Sequence, residues 1–210
     1  MKIGIIGAGN VGRALATGSI RAGHQVMISA SRPDEAERVA AEIGAAAASS
    51  NRAAIAGADI VILAVPFDAI SAIVKESGAG LDSKILIDVT NRFDPETLQG
   101  ASNAELIQEM APNAKVVKAF NTVFASHQAN PQIDGVPLDG FLAGNDGDAK
   151  GKVAELLESL GFRPIDAGPL AMSRALEGMG LLNIVLNKRN GWPWQTGWKL
   201  LGPTEPSQRV

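Results

Sequence analysis

Gly7, Gly9 and Gly12 stand in the pattern G-x-G-x-x-G, written out as Gly7-Ala8-Gly9-Asn10-Val11-Gly12. Glycines at this spacing let a main chain approach a negatively charged group. Gly7 permits a tight turn, Gly9 leaves space that a Cβ would fill, and Gly12 lets a helix pack closely on the preceding strand. The run Lys2-Ile3-Gly4-Ile5-Ile6 before the loop reads as a strand, and helical periodicity follows from Val11. That is the context the motif needs. The free N–H groups of the first turn, around Asn10, Val11 and Gly12, then face phosphate oxygens with the helix dipole in support. The arrangement predicts a dinucleotide ligand; the alternative is a purely structural strand-to-helix turn.

The end of the second strand bears on which dinucleotide. An Asp or Glu about 20 residues past the glycines would accept from the ribose hydroxyls of NAD. Here the strand runs into Ala30-Ser31-Arg32-Pro33, with no acid at its end. Arg32 offers a planar fork of donors suited to a 2′-phosphate, and Ser31 adds a hydroxyl. NADP(H) is therefore the expected cofactor. The competing reading has Arg32 exposed, Ser31 as a helix cap and Asp34, in the first helical turn, as a displaced acid.

In an open parallel sheet, ligands lie outside the carboxyl ends of the strands. Three further ends qualify: Ala64-Val65-Pro66-Phe67, Val89-Thr90-Asn91 and Ala119-Phe120-Asn121-Thr122. They are expected to flank the adenosine ribose, the central phosphates and the nicotinamide, in that order. Asn91, Asn121 and Thr122 are possible hydrogen-bond partners, or else turn and capping residues.

Groups for acid–base work are scarce. His24 falls in a turn at the wrong end of the sheet. His127 follows the fifth strand, so that it either reaches the site or is an exposed loop residue, and Lys118 lies within a strand and reads as structural. The chain has no Tyr and no Cys, which excludes a Tyr-Lys acid pair, disulfides and thiolate chemistry. Hydride transfer between a nicotinamide and another conjugated ring needs none of these groups, because the cofactors supply the reactivity and the protein supplies alignment.

The elements that must position these residues follow from short apolar runs. Residues 2–6, 25–29, 60–65, 84–89, 115–120, 140–143 and 162–166 read as strands, mostly continuous rather than alternating, as in parallel sheets covered on both faces. Residues 11–22, 33–43, 52–56, 67–76, 103–110 and 148–160 read as helices. The rhythm predicts an α/β fold of Rossmann type: a doubly wound, mostly parallel sheet with a small C-terminal helical part. Residues 1–167 are expected to form the NADP-binding domain, and 168–210 a C-terminal helix and tail, with the helix over 169–190 and the rest irregular. The Ala45–Ser50 patch reads as a helix end leading into a turn. The apolar stretch 179–186 predicts an all-round buried helix, plausibly at a dimer interface.

Of 210 residues, 46% are hydrophobic and 20% charged, and the net charge is −3. Nothing there favours nucleic acid, and no apolar run reaches the ~18 residues of a membrane helix. A cytoplasmic protein is expected.

Gly7 through Gly12, Ser31-Arg32, Ala64-Val65-Pro66-Phe67, Asp88-Val89-Thr90-Asn91, Lys118-Ala119-Phe120-Asn121-Thr122 and Asp166-Ala167-Gly168-Pro169-Leu170 together resemble the NADP oxidoreductases that depend on the deazaflavin coenzyme F420. The likeness runs to about residue 190. It implies a Rossmann domain with a helical C-terminal part, a homodimer, and hydride passed between NADP(H) and the deazaflavin. The cytosolic NADPH domain of membrane ferric reductases is similar too, which admits FMN or FAD as acceptor. Two features depart from the pattern. The glycine loop is one residue shorter than in archaeal members, with Ala8 in it, and the tail carries Trp192, Trp194 and Trp198. These tryptophans either stack on an acceptor ring or anchor the tail. Arg174, Lys188 and Arg189 are the cations available for an anionic acceptor tail. One rival is an NADP-dependent dehydrogenase of small hydroxy acids or imines, drawing on Asn183, Asn187 and Lys188. The other is a non-enzymatic NADP(H)-binding redox sensor.

Overall fold

In the computed structural model, which describes residues 1–93 and 100–202, β1 (Lys2–Ile6) enters the glycine loop and leads into α1 (Asn10–Arg21). There follow β2 (Gln25–Ser29), α2 (Pro33–Ile43), β3 (Ala46–Ala47), α3 (Asn51–Ala56), β4 (Ile60–Leu63), α4 (Phe67–Ser77) and β5 (Ile85–Asp88). The second half holds α5 (Asn103–Met110), β6 (Lys115–Ala119), the short α6 (Ala125–Gln128), the hairpin β7 (Gln132–Ile133) and β8 (Val136–Pro137), β9 (Asp139–Gly144), α7 (Gly147–Leu160), β10 (Arg163–Asp166) and α8 (Ser173–Asn190).

Eight strands form one sheet in the order β10-β9-β6-β5-β4-β1-β2-β3. Pairing is parallel from β3 through β6 and again between β9 and β10; only β6 and β9 run antiparallel. β1, β4, β5 and β6 are buried almost throughout, which explains their unbroken Val and Ile runs. Two apolar clusters, one around Leu15 and Leu156 and the other around Ile70 and Ile107, fill the space between sheet and helices. The strand order reverses between β1 and β4. That opens a crevice beyond their carboxyl ends, where the glycine loop meets Ala64 and Val65.

Three expectations are corrected. Ala46 and Ala47 form a short edge strand on Met27 and Ile28, because Gly44 at φ 78° turns the chain back beside β2. The helix over 169–190 starts as a 3₁₀ turn, Leu170–Met172, before α8. Within one chain α8 is not buried all round. It turns Ser173, Glu177, Asn183 and Asn187 inward, while Leu182 and Val185 stay 48% and 44% exposed.

Beyond α8 the chain has no helix or strand up to residue 202; Pro203 and Pro206 lie outside the described residues. This tail straps the body. Asp139 N–H donates to the Trp198 carbonyl, Leu200 N–H to the Asp139 carboxylate, and the Asn183–Asn187 pair holds Thr196.

Candidate functional site

The three glycines of the loop differ in what holds them there. A Cβ on Gly7 would lie 2.2 Å from the Ala64 carbonyl oxygen, and its φ of 111° is a left-handed conformation. A Cβ on Gly12 would lie 1.9 Å from the Gly7 oxygen. Packing of the chain against itself therefore demands both. At Gly9 a Cβ meets no heavy atom within 4 Å, and φ −73°, ψ −173° suits any residue. Nothing among the described residues requires a glycine at position 9. The open space above it is where a pyrophosphate would lie. Gly9 caps α1 with no side-chain bond, and the first turn holds no acid, so the donors around Asn10, Val11 and Gly12 are left for an anion.

Ser31 and Arg32 are exposed at the end of β2, and the Arg32 guanidinium stands 3.6 Å from Asp34. Arg32, not Ser31, caps α2, and no side-chain bond closes that cap. Beside them Ser29 Oγ donates to Oδ1 of Asn51, the first residue of α3.

At the other end, Val11, Val89, Asn91, Asn121 and Thr122 come together around a cleft of about 170 Å³, with Phe93, Phe124 and Ile184 also in its lining. Phe120, also in its wall, holds φ 64°, a conformation non-glycine residues seldom adopt. Among the described residues no ionisable side chain lines this cleft. Pro66 opens onto a neighbouring cleft of about 640 Å³, which shares Asn91 and Phe93 and is lined as well by the ionisable side chains of Asp68 and Arg92. A third cavity, near 160 Å³, is lined by Lys2, Gln25 and Gly57 at the opposite, amino-terminal ends of the strands, away from the glycine loop.

Thr90 stands apart from the other predicted site residues. It is buried, its hydroxyl accepts from Asn103 Nδ2 and its carbonyl from Lys118 Nζ, so it faces the core. Lys118 is wholly buried and donates to Asp88 at 2.7 Å and Glu177 at 2.8 Å. Glu177 also accepts from the Asn103 N–H and stands 3.5 Å from Arg92. Burial pushes the Glu177 carboxyl above its ordinary range, against the pull of Lys118. Two cations thus face two carboxylates, pinning α8 to β5 and β6. One turn along α8, Gly180 lies so close to Asn91 that a Cβ would sit 2.4 Å from its Oδ1.

His24 bonds Ser159 and the chain's amino group, at the far end of the sheet. His127 lies on α6, where its Nε2 meets the Gln195 carbonyl at 2.9 Å, and so holds the tail. Trp194 stacks edge-on against Phe124. Arg174 forks onto Glu105, which removes it from the cations free for an acceptor, while Lys188 and Arg189 are exposed in the last turn of α8. Gln128, Glu177, Gly180 and Asn51 stand in no chemical motif of the sequence. Only Gly180, a glycine amid an apolar helical run, left a local trace.

A switch-point crevice, a glycine loop whose middle glycine meets no neighbour among the described residues, and an adjoining cleft of apolar and uncharged polar side chains define a dinucleotide-binding protein of Rossmann type. The family model of coenzyme F420-dependent NADP oxidoreductases matches residues 2–92. The F420-dependent NADP reductase of Methanothermobacter thermautotrophicus is 30% identical over 213 residues, covering 90% of each chain. A solved chain from Arthrobacter sp. FB24, described as a candidate F420-dependent NADP reductase, superposes with a TM-score of 0.82 at 31% identity, covering 93% of this chain and 97% of that one. The rat metalloreductase STEAP3 is 32% identical over 182 residues, and the chain spans only 36% of its length. The chain belongs to the coenzyme F420-dependent NADP oxidoreductases.

Proposed function

We propose that this protein binds NADP(H) across the β1/β4 crevice and passes hydride between it and a planar ring acceptor, a deazaflavin such as coenzyme F420 or a flavin such as FMN or FAD. Gly7, Gly9, Asn10, Val11 and Gly12 hold the pyrophosphate through main-chain donors. Ser31 and Arg32 take the 2′-phosphate. Ala64, Val65 and Pro66 line the path of the cofactor; Val89 and Asn91, expected from the sequence beside the central phosphates, share one cleft with Asn121 and Thr122, and we assign all four to the nicotinamide, with Thr90 supporting them from beneath.

One observation carries this reading: the cleft beside the glycine helix has no ionisable lining among the described residues. Oxidising an alcohol or protonating an imine needs a proton donor or acceptor within reach of the reacting atom. Moving hydride between two rings needs alignment, to which the half-buried Phe124 and Ile184 contribute apolar walls. NADPH supplies the hydride. The Asn pair available to the hydroxy-acid rival is already engaged, since Asn183 and Asn187 bond each other and Thr196.

The C-terminal segment, over its described residues 168–202, forms the acceptor side of the site. Its exposed residues Leu182 and Val185 are those a second copy would cover, in line with the dimer that the family resemblance implies. No helix of the described residues is long and apolar enough to cross a membrane, and we place the protein in the cytoplasm. The test is NADPH oxidation, followed by absorbance, in the presence of coenzyme F420, FMN, FAD and small carbonyl compounds in turn.

A further inference from the structure

The tail turn Trp194-Gln195-Thr196 is bonded to two helices at once. On one side, Ser126 Oγ and His127 Nε2 of α6 donate to the carbonyls of Trp194 and Gln195, each at 2.9 Å. On the other, the Trp194 N–H donates to Asn187 Oδ1 at 3.2 Å. The Thr196 hydroxyl donates to Asn183 Oδ1 and accepts from Asn187 Nδ2, both at 2.6 Å. Asn183 and Asn187 are buried residues of α8. Trp194 holds φ 59°, a left-handed conformation that a non-glycine residue keeps only where its surroundings fix it. The bonds from both helices do so here.

Both helices also lend residues to one cleft. Phe124, the cap residue of α6, and Gln128 line the nicotinamide-side cleft from one helix, and Gly180, Asn183 and Ile184 line it from the other. The turn holds a residue from each set. Thr196 bonds Asn183, and the Trp194 ring meets the Phe124 ring edge-on, with centroids 5.5 Å apart and planes at 77°. α6 is a single turn of four residues, too short to hold its place by helical bonds alone.

We infer that Trp194, Gln195 and Thr196 form a clasp that fixes α6 against α8 across this cleft, and that Trp194 is a positioning residue for the hydride acceptor, acting through Phe124. The inference rests on the proposed reading of the cleft as the place where nicotinamide and acceptor meet. The phosphate and adenosine sites, on the glycine loop and after β2, receive no bond from the clasp. It therefore governs how the acceptor is presented and leaves the affinity for the dinucleotide as a whole to those sites.

Two variants separate the ring from the fold of the turn. Trp194→Gly removes the ring and tolerates the left-handed backbone, and Trp194→Phe keeps an aromatic ring. With NADPH saturating, Trp194→Gly should lower kcat/KM for coenzyme F420 or FMN about fivefold, the scale of one lost aromatic pair. The Kd for NADPH should stay within about twofold, and Trp194→Phe should recover most of the loss. The chain's three tryptophans all lie in 192–198, so tryptophan emission reports on the tail alone. NADP, whose nicotinamide enters the cleft, should change that emission. 2′-Phospho-ADP-ribose, which lacks the ring, should not, and Trp194→Phe should remove the change. Acceptor kcat/KM unaltered in Trp194→Gly, or a fall matched by an equal loss of NADPH affinity, would overturn the positioning role. Emission that responds alike to both ligands would overturn the clasp. No turnover with any ring acceptor, with the emission change intact, would remove the acceptor reading and the positioning role with it, and leave the nicotinamide site standing.

Discussion

Asn121 Nδ2 donates to Asn91 Oδ1 at 2.8 Å, and Asn91 Nδ2 returns a bond to the Asn121 carbonyl at 2.8 Å. The two residues follow adjacent parallel strands, β5 and β6, so this reciprocal pair locks neighbouring strand ends together at the lip of the cleft. Gly180 of α8 closes on the same pair. The wall of the cleft is therefore one unit made of two loops and a helix.

Gly9→Val should weaken NADPH binding by about a hundredfold or more, equivalent to about 2.8 kcal/mol. The melting temperature should stay within a degree or two, because the new side chain enters open space from an extended backbone. Gly12→Ala should do the reverse and destabilise the fold, its Cβ colliding with the Gly7 carbonyl. Calorimetric titration and thermal melting of both variants check the contrast.

Arg32→Ala should cost about 1.5–3 kcal/mol of NADPH binding, the scale of hydrogen bonds to a charged group. NADH binding should barely change. Equal affinity of the unaltered protein for the two cofactors would remove the basis for the assignment.

Replacing Lys118 by Met leaves Asp88 and Glu177 buried with one cation fewer. Breaking a buried ion pair on one side costs about 3–5 kcal/mol. Urea denaturation should show a loss of that size.

The pH dependence is sharpest at Glu105. Its hydrogen bonds from the Arg174 guanidinium hold the carboxyl at about 2, against an ordinary 4.5. A depressed acid stabilises the fold above its unfolded pKa and loses that contribution as pH falls through the folded value. The melting-temperature gap between the unaltered protein and Arg174→Met should therefore be full near pH 5 and shrink as pH approaches 2. A gap constant across that window would show that the ion pair adds nothing.

Much of this was legible in the sequence because it is local. The glycine loop, the strand ends and the missing acid after β2 are each read within a dozen residues. Lys118, placed within a strand, reads as structural, and it is wholly buried, yet its partners stand 30 and 59 residues away, a separation no local pattern spans. Gln128 stayed hidden because β-strand and loop patterns say nothing of a four-residue helix folded against α1. The apolar stretch of α8 misled for a physical reason. Its inward face is spent on Glu177, Asn183 and Asn187, which grip the core and the tail, and Leu182 and Val185 are left outside.

The central claim is ring-to-ring hydride transfer in a cleft that has no acid or base in its lining among the described residues. The most direct measurement follows NADPH oxidation with coenzyme F420, FMN or FAD, and small carbonyl compounds in separate reactions, using both the unaltered protein and His127→Ala. The account predicts turnover with a deazaflavin or flavin and none with carbonyl compounds. His127→Ala should lower the rate by well under the 10²–10⁴-fold that loss of a general acid or base brings. Oxidation of NADPH by a carbonyl compound alone would contradict the account in favour of a hydroxy-acid or imine dehydrogenase, and silence with every acceptor would contradict it in favour of an NADP(H) sensor.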